Sequence, residues 1–84
     1  MVIERRVRLI YPEHLLDQPL IYELIRKFDV LTNILEASVT AESGLLIVAV
    51  RGEAEKVHQG LAWIGEQGVQ VEVLSEIGEA QCKS

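Results

Sequence analysis

The chain opens on an alternation. Val7, Leu9 and Tyr11 are interleaved with Arg6, Arg8 and Ile10, the two-residue period of a half-buried strand. The pattern stops before Pro12, which has no N–H to give to a ladder, and Pro12 to Leu16 reads as a connector. From Leu20 the period lengthens. Leu20, Ile21, Leu24, Ile25 and Phe28 recur at spacings of one, three and four, so they form one helical stripe, with Glu23, Arg26 and Lys27 off it. Asp17 is placed to cap this helix through its carboxylate, and Pro19 is tolerated in a first turn whose N–H groups lack partners.

Val30 to Thr40 returns to a two-residue period. Leu31, Asn33, Leu35, Ala37 and Val39 point one way, and Val30, Thr32, Ile34, Glu36 and Ser38 the other. The first helix is expected to cover the face carrying Leu35, Ala37 and Val39. Ala41-Glu42-Ser43-Gly44 is a short hairpin turn in which Gly44 can take a positive φ. Leu45 to Val50 is an unbroken apolar run, the composition of a central strand buried on both faces. Gly52 can start a second helix with Ala54, Val57, Leu61 and Ile64 as its stripe and Glu53 and Glu55 at the positive end of the dipole. Gly60 lies inside that helix, where glycine costs about 1 kcal/mol relative to alanine, so close packing is expected there. Gly68 ends the helix, and Val69, Val71 and Val73 alternate with Gln70 and Glu72 as a last strand.

The order is β-α-β-β-α-β, which predicts an α+β ferredoxin-like sandwich: a four-stranded antiparallel sheet with both helices on one face. Right-handed crossovers put strands one and three in the centre and two and four at the edges. The domain is expected to span residues 1–74, with 75–84 a polar, fraying tail. The strand carrying Asn33 is then an edge, and the sheet face away from the helices has no cover. Open edges and apolar faces are normally paired or shielded, so self-association into a homodimer is expected.

Composition narrows the function. Eight basic and thirteen acidic residues give a net charge of −5, a poor balance for nucleic-acid binding, which needs clustered Lys and Arg. Arg5-Arg6 with Arg8 is the local exception, and alternation places Arg6 and Arg8 on the solvated face of a strand. Hydrophobic content is 49% in 84 residues, high enough for a packed core and for apolar surface that a partner would cover. Cys82 is the one cysteine, so no internal disulfide or multi-cysteine metal site is expected. No signal peptide and no membrane-length apolar run is visible, which points to the cytoplasm.

No catalytic constellation stands out, and neither a metal nor a cofactor is expected. His14 and His58 lie on different elements without ligand spacing around them, and each reads as a surface residue. Trp63 sits at the edge of the second helical stripe and is expected to pack partly against the first helix. Asn33 is the polar residue that asks for an explanation. Asparagine is disfavoured in strands, and its amide offers donors and an acceptor together, a match for the carboxylate and ammonium groups of an amino acid at an edge.

The chain resembles the NIL domain family. The resemblance rests on Val7-Arg8-Leu9, Asp17-x-Pro19-Leu20 leading to Leu24-Ile25 and Phe28, then Val30-x-x-Asn33-Ile34-Leu35. It continues through an apolar strand closed by Gly52, Ala62-Trp63-Ile64, and Gly68-Val69-x-Val71-Glu72-Val73-Leu74, about five-sixths of the chain in all. It implies a regulatory module of the kind fused to bacterial methionine importer ATPases, forming ferredoxin-like dimers that bind methionine at the interface. Asn33, Ile34 and Leu35 would form the ligand-binding or dimer-edge site. Two departures qualify this. The chain has no Walker A lysine loop and no room for an ATPase domain, so it reads as a free-standing copy. The turn at residues 41–44 is shorter than the glycine-rich, aromatic turn usual beside the ligand edge. Relatives with iron–sulfur cysteine clusters are excluded by the single Cys82.

The reading is therefore a non-enzymatic sensing or regulatory domain that binds a small amino acid such as methionine at a homodimer interface. The alternative is an interaction subunit or assembly factor that docks a larger protein complex through its sheet face, without a small-molecule ligand.

Overall fold

The computed structural model describes residues 1–78. The elements are β1 (Val2–Pro12), a short 3-10 turn (Glu13–Leu15), α1 (Leu20–Phe28), β2 (Leu31–Val39), β3 (Ser43–Glu53), α2 (Ala54–Glu66) and β4 (Gln70–Ile77). The sheet order is β2-β3-β1-β4 with every pairing antiparallel. This is the ferredoxin-like βαββαβ arrangement, with β1 and β3 central and β2 and β4 at the edges.

One layer of side chains holds the helices to the sheet. Ile3, Val7 and Leu9 from β1, Val48 and Val50 from β3, Leu24 from α1 and Val57 and Ile64 from α2 are all at most 1% exposed. The alternation in β1 and the stripes of the two helices are the periodicities that build this core. Within α1, Leu20 and Leu24 are buried, and Ile21 and Phe28 pack against the cluster half-buried. The helices meet at Gly60, where an added Cβ would lie 2.6 Å from Leu24 Cδ1 and 3.4 Å from Phe28. Gly68 takes φ +110° just past the end of α2, the left-handed region that only glycine enters without strain. Trp63 is half-buried beside α1, its ring 5.9 Å from that of Phe28, with Lys27 Nζ 5.6 Å from its centroid.

The structure corrects several local expectations. Asp17 is exposed and does not cap α1: Pro19 disfavours the helical conformation at Gln18 before it, so the helix starts only at Leu20, with Pro19 in the cap position. Gly44 lies inside β3 without a positive φ. It is small because a Cβ there would sit 2.9 Å from Leu16 Cδ2. The reversal is closed by Thr40 instead: its Oγ1 accepts from the N–H of Ser43 at 3.1 Å and of Glu42 at 3.3 Å. Gly52 does not open α2. Pairing of Val2 with Glu53 carries β3 one residue beyond it. At the other end, β4 continues through Ser75 to Ile77 because Arg6 and Glu4 of β1 pair with them. The ordered domain thus passes residue 74, and the rest of the expected tail from residue 79, with Cys82, lies outside the described residues.

The largest correction concerns β2. Its ladder with β3 slips by one residue between Ile34 and Glu36. Leu35 is the extra residue of a β-bulge, which breaks a strict alternation. Leu31, Asn33 and Leu35 therefore share the face away from the helices, while Ala37 and Val39, beyond the bulge, fall on the helix side. α1 leaves Val39 67% exposed. β3 is central but is not buried on both faces in the single chain: Val48, Ala49 and Val50 are buried, and Leu45, Leu46 and Ile47 are half-exposed.

Candidate functional site

The register of the four strands lays the open face out in rows. Leu31, Arg51, Glu4 and Ile77 form one row across the sheet. Asn33, Ala49, Arg6 and Ser75 form the next, followed by Glu36, Ile47, Arg8 and Glu72, then Ser38, Leu45, Ile10 and Gln70. The face is a mixture of apolar residues and charges, not the apolar surface expected from the long run in β3. Arg8 and Glu72 are ion-paired across β1 and β4, and Arg6 Nε is 3.7 Å from Glu4 Oε2.

Ala49 is the small residue of its row. Longer neighbours surround it, and it is only 6% exposed although no helix covers that face. The result is a depression of about 540 Å³ lined by Glu4, Arg6, Leu31, Thr32, Asn33, Leu35 and Arg51, with Ala49 among them. Of the three residues expected at the site, Asn33 and Leu35 line it together. Ile34 does not. It lies on the helix side of the sheet, paired with Val48, and is 53% exposed. Glu4, Arg6 and Arg51 join the site without having been anticipated as members. The alternation of β1 already put Arg6 on an exposed face, but only the register of three strands brings it beside Asn33. Arg51 follows the apolar run of β3 and has no local signal of its own.

A second hollow lies on the helix side, where α1 and the connector meet the end of β2 and β3. Tyr11, Leu16, Pro19, Leu20, Val39 and Leu46 line it, and its volume is about 210 Å³. That is below the roughly 300–1,000 Å³ usual for small-molecule sites. Burial raises the pKa of the Tyr11 phenol, which keeps it neutral.

The remaining polar cluster ties three elements together. Arg5 on β1 donates from Nε to Glu76 Oε1 of β4 at 2.8 Å, and its Nη2 is 2.7 Å from His58 Nε2 on α2. His58 is thus exposed, as expected, but engaged. The Arg5 hydrogen bond holds the Glu76 carboxyl below its ordinary range, and nearby His58 adds to the effect. Among the described residues no group of three or more His, Cys, Asp or Glu is placed to hold a metal. No helix among them is long and apolar enough to cross a membrane.

The model of the NIL domain matches residues 5–73. The chain belongs to the NIL domain family. A methionine import ATP-binding protein, MetN, of Coxiella burnetii is 39% identical over 75 residues, covering 84% of this chain and 21% of that protein. The MetN 1 protein of Burkholderia ambifaria is likewise 39% identical over 75 residues, covering 84% of this chain and 22% of its own length. The chain therefore spans about a fifth of the curated relatives it matches. Among solved structures, the C-terminal domain of an ABC transporter/ATP-binding protein from Enterococcus faecalis superposes with a TM-score of 0.74 at 19% identity, covering 84% of this chain and 83% of that one. A de novo designed protein, Foldit4, reaches 0.61 at 13% identity, over 94% and 99%. Likenesses at such identities speak for the fold.

Proposed function

We propose that this NIL domain is a non-enzymatic sensing module of the cytoplasm that pairs with a second copy and holds a small amino acid, methionine first among them, at the pairing edge. The observation that carries this reading is β2. It is a nine-residue edge strand with no strand on its outer side among the described residues, and Leu31, Ile34, Leu35 and Val39 on it are between 44% and 70% exposed. Long exposed apolar edges are liabilities unless they are paired. The depression holding Asn33 and Leu35 opens at that edge, so a second copy would wall it in. The methionine importer relatives support methionine as the first ligand to test.

Static light scattering and calorimetric titration with methionine test the two halves separately. A dimer mass, with an interface above about 1,000 Å², and saturable heat with methionine are expected. A clean 9.4 kDa monomer at high concentration refutes the pairing, and absence of heat at millimolar ligand refutes the sensing role. The half-exposed Ile10, Leu45 and Ile47 on the open face favour a second reading, docking of that face on a larger protein complex. A dimer without a ligand would turn the balance that way.

A further inference from the structure

We infer that Arg51 is the carboxylate-binding residue of the open-face depression, which makes the site selective for α-amino acids with an apolar side chain over amines or amides of the same shape. The inference rests on the sensing role proposed above and names the chemistry that would carry it.

Arg51 stands in the row of Leu31 and Glu4 and makes no ion pair with any of the described residues. Its cross-strand neighbour Glu4 is the carboxylate that lies within 3.7 Å of Arg6. The depression therefore holds two guanidinium groups against one carboxylate, an excess of one positive charge in a chain whose net charge is −5. A lone guanidinium on a sheet face is ordinarily a solvated residue. Here it borders a concave site over Ala49, beside an Asn33 amide without a side-chain hydrogen bond among the described residues. A planar guanidinium fits a carboxylate with two parallel N–H donors, and the Asn33 amide adds a donor or an acceptor.

The rest of the lining complements the remainder of such a ligand. Glu4 supplies the negative charge for an ammonium group. Leu31 and Leu35, 70% and 44% exposed, offer an apolar wall that a thioether or branched aliphatic side chain would cover. The volume of about 540 Å³ lies within the usual range for small-molecule sites. The opposing hollow near Tyr11 brings together mostly apolar residues and no charged one, so it lacks the means to bind a zwitterion.

Titration calorimetry on the full chain tests this with methionine and methioninamide, in which the carboxylate becomes a neutral amide. Wild type should bind methionine at least about tenfold more tightly than the amide, because a hydrogen-bonded charge is lost. Arg51→Gln, checked for native circular dichroism, should bind methionine about tenfold more weakly and bind the amide almost unchanged, so the preference collapses. Equal binding of both ligands by wild type overturns the assignment and leaves amino-acid sensing intact. A folded Arg51→Gln that keeps the full preference does the same. No heat from either ligand with folded wild type overturns both readings. If Arg51→Gln does not fold, Arg51→Lys, which keeps the charge but lacks the planar paired donors, takes its place: a weakened preference supports the assignment and a full one overturns it.

Discussion

The contact between Gly60 and Leu24 makes a quantitative prediction about what holds the two helices together. A methyl group added at Gly60 would lie 2.6 Å from Leu24 Cδ1, roughly 1 Å inside the distance of an ordinary carbon–carbon contact. Leu24 is fully buried, so its Cδ1 must shift within the core to admit the methyl. Gly60→Ala gains about 1 kcal/mol in helix propensity and loses about 1–3 kcal/mol to overpacking, for a net loss of about 0–2 kcal/mol. Leu24→Ala alone removes a buried side chain and should cost about 2–5 kcal/mol. The double variant is the informative one. With Leu24 truncated, the 2.6 Å overlap is gone, only Phe28 at 3.4 Å remains beside the new methyl, and the methyl fills part of the cavity, so the double loss should fall short of the sum of the single losses by at least about 1 kcal/mol. In a domain of this size each kcal/mol is worth roughly 4–8 °C in melting temperature. Urea melts at one fixed protomer concentration, which removes the contribution of self-association, measure all three variants. Losses that add to within about 0.5 kcal/mol would show that these residues do not touch and would refute the helix–helix packing described above.

Three further outcomes follow from the site and the sheet. Asn33→Ala should weaken methionine binding or dimerisation by about 1–3 kcal/mol, the cost of an unpaired buried partner, with an unchanged circular dichroism spectrum; normal affinity and normal mass would remove Asn33 from the site. Ile47→Ala should cost less than Leu24→Ala, because Ile47 lies half-exposed on the open face and not in the core, and equal losses in urea melts would mean that this face is fully covered. Glu76 has a depressed pKa when folded, from its Arg5 hydrogen bond, so its stabilising contribution is present above the ordinary glutamate range and is lost as pH falls through the folded value. Glu76→Gln should therefore flatten the decline in melting temperature below about pH 4.3, and an acid limb parallel to that of wild type would show that the cluster with Arg5 and His58 contributes nothing.

Some of this molecule could be read directly from the chain, and the reason lies in how local each signal is. Val57, Leu61 and Ile64 are buried because a period of 3.6 residues puts them on one side of any helix they form. The same holds for Leu20 and Leu24, and for Val7 and Leu9 with a period of two. Element order then implied the sheet order through the handedness of crossovers, with no side-chain detail needed. Cap and turn positions were harder. Asp17 carries the chemistry of a helix cap, yet Pro19 disfavours a helical Gln18 and the helix starts only at Leu20. Gly44 looks like a turn glycine and is instead a site of close approach by Leu16. In both cases the residue type is informative, but the context decides its use: a following proline for Asp17 and a neighbour distant along the chain for Gly44.

The β2 strand shows why the site itself was only half legible. Asn33 and Leu35 belong together by alternation, and the structure keeps them on one face. Ile34 points to the opposite side of the sheet, where it stays an exposed residue of the same edge. The bulge at Leu35 then turns Ala37 and Val39 toward the helices. A bulge arises when two residues of one strand face a single residue of its partner, so it is a property of the pair and leaves no mark on either strand alone. Arg51 is a stronger case. Nothing within five residues of it suggests a ligand, and Glu4 and Arg6 lie 45 or more positions away in the chain. Their meeting depends on two registers, β1 with β3 and β2 with β3. A slip of one residue in either register would send Arg51 to a different neighbour or Arg6 to the opposite face. The small side chain of Ala49 between Asn33 and Arg6 leaves the hollow, and the central position of β3 brings both flanking strands to its rim. The chemistry of this site is therefore fixed by pairing rather than by any contiguous motif, which is why the Asn33-Ile34-Leu35 segment locates the edge while the charges that would select a ligand come from its neighbours.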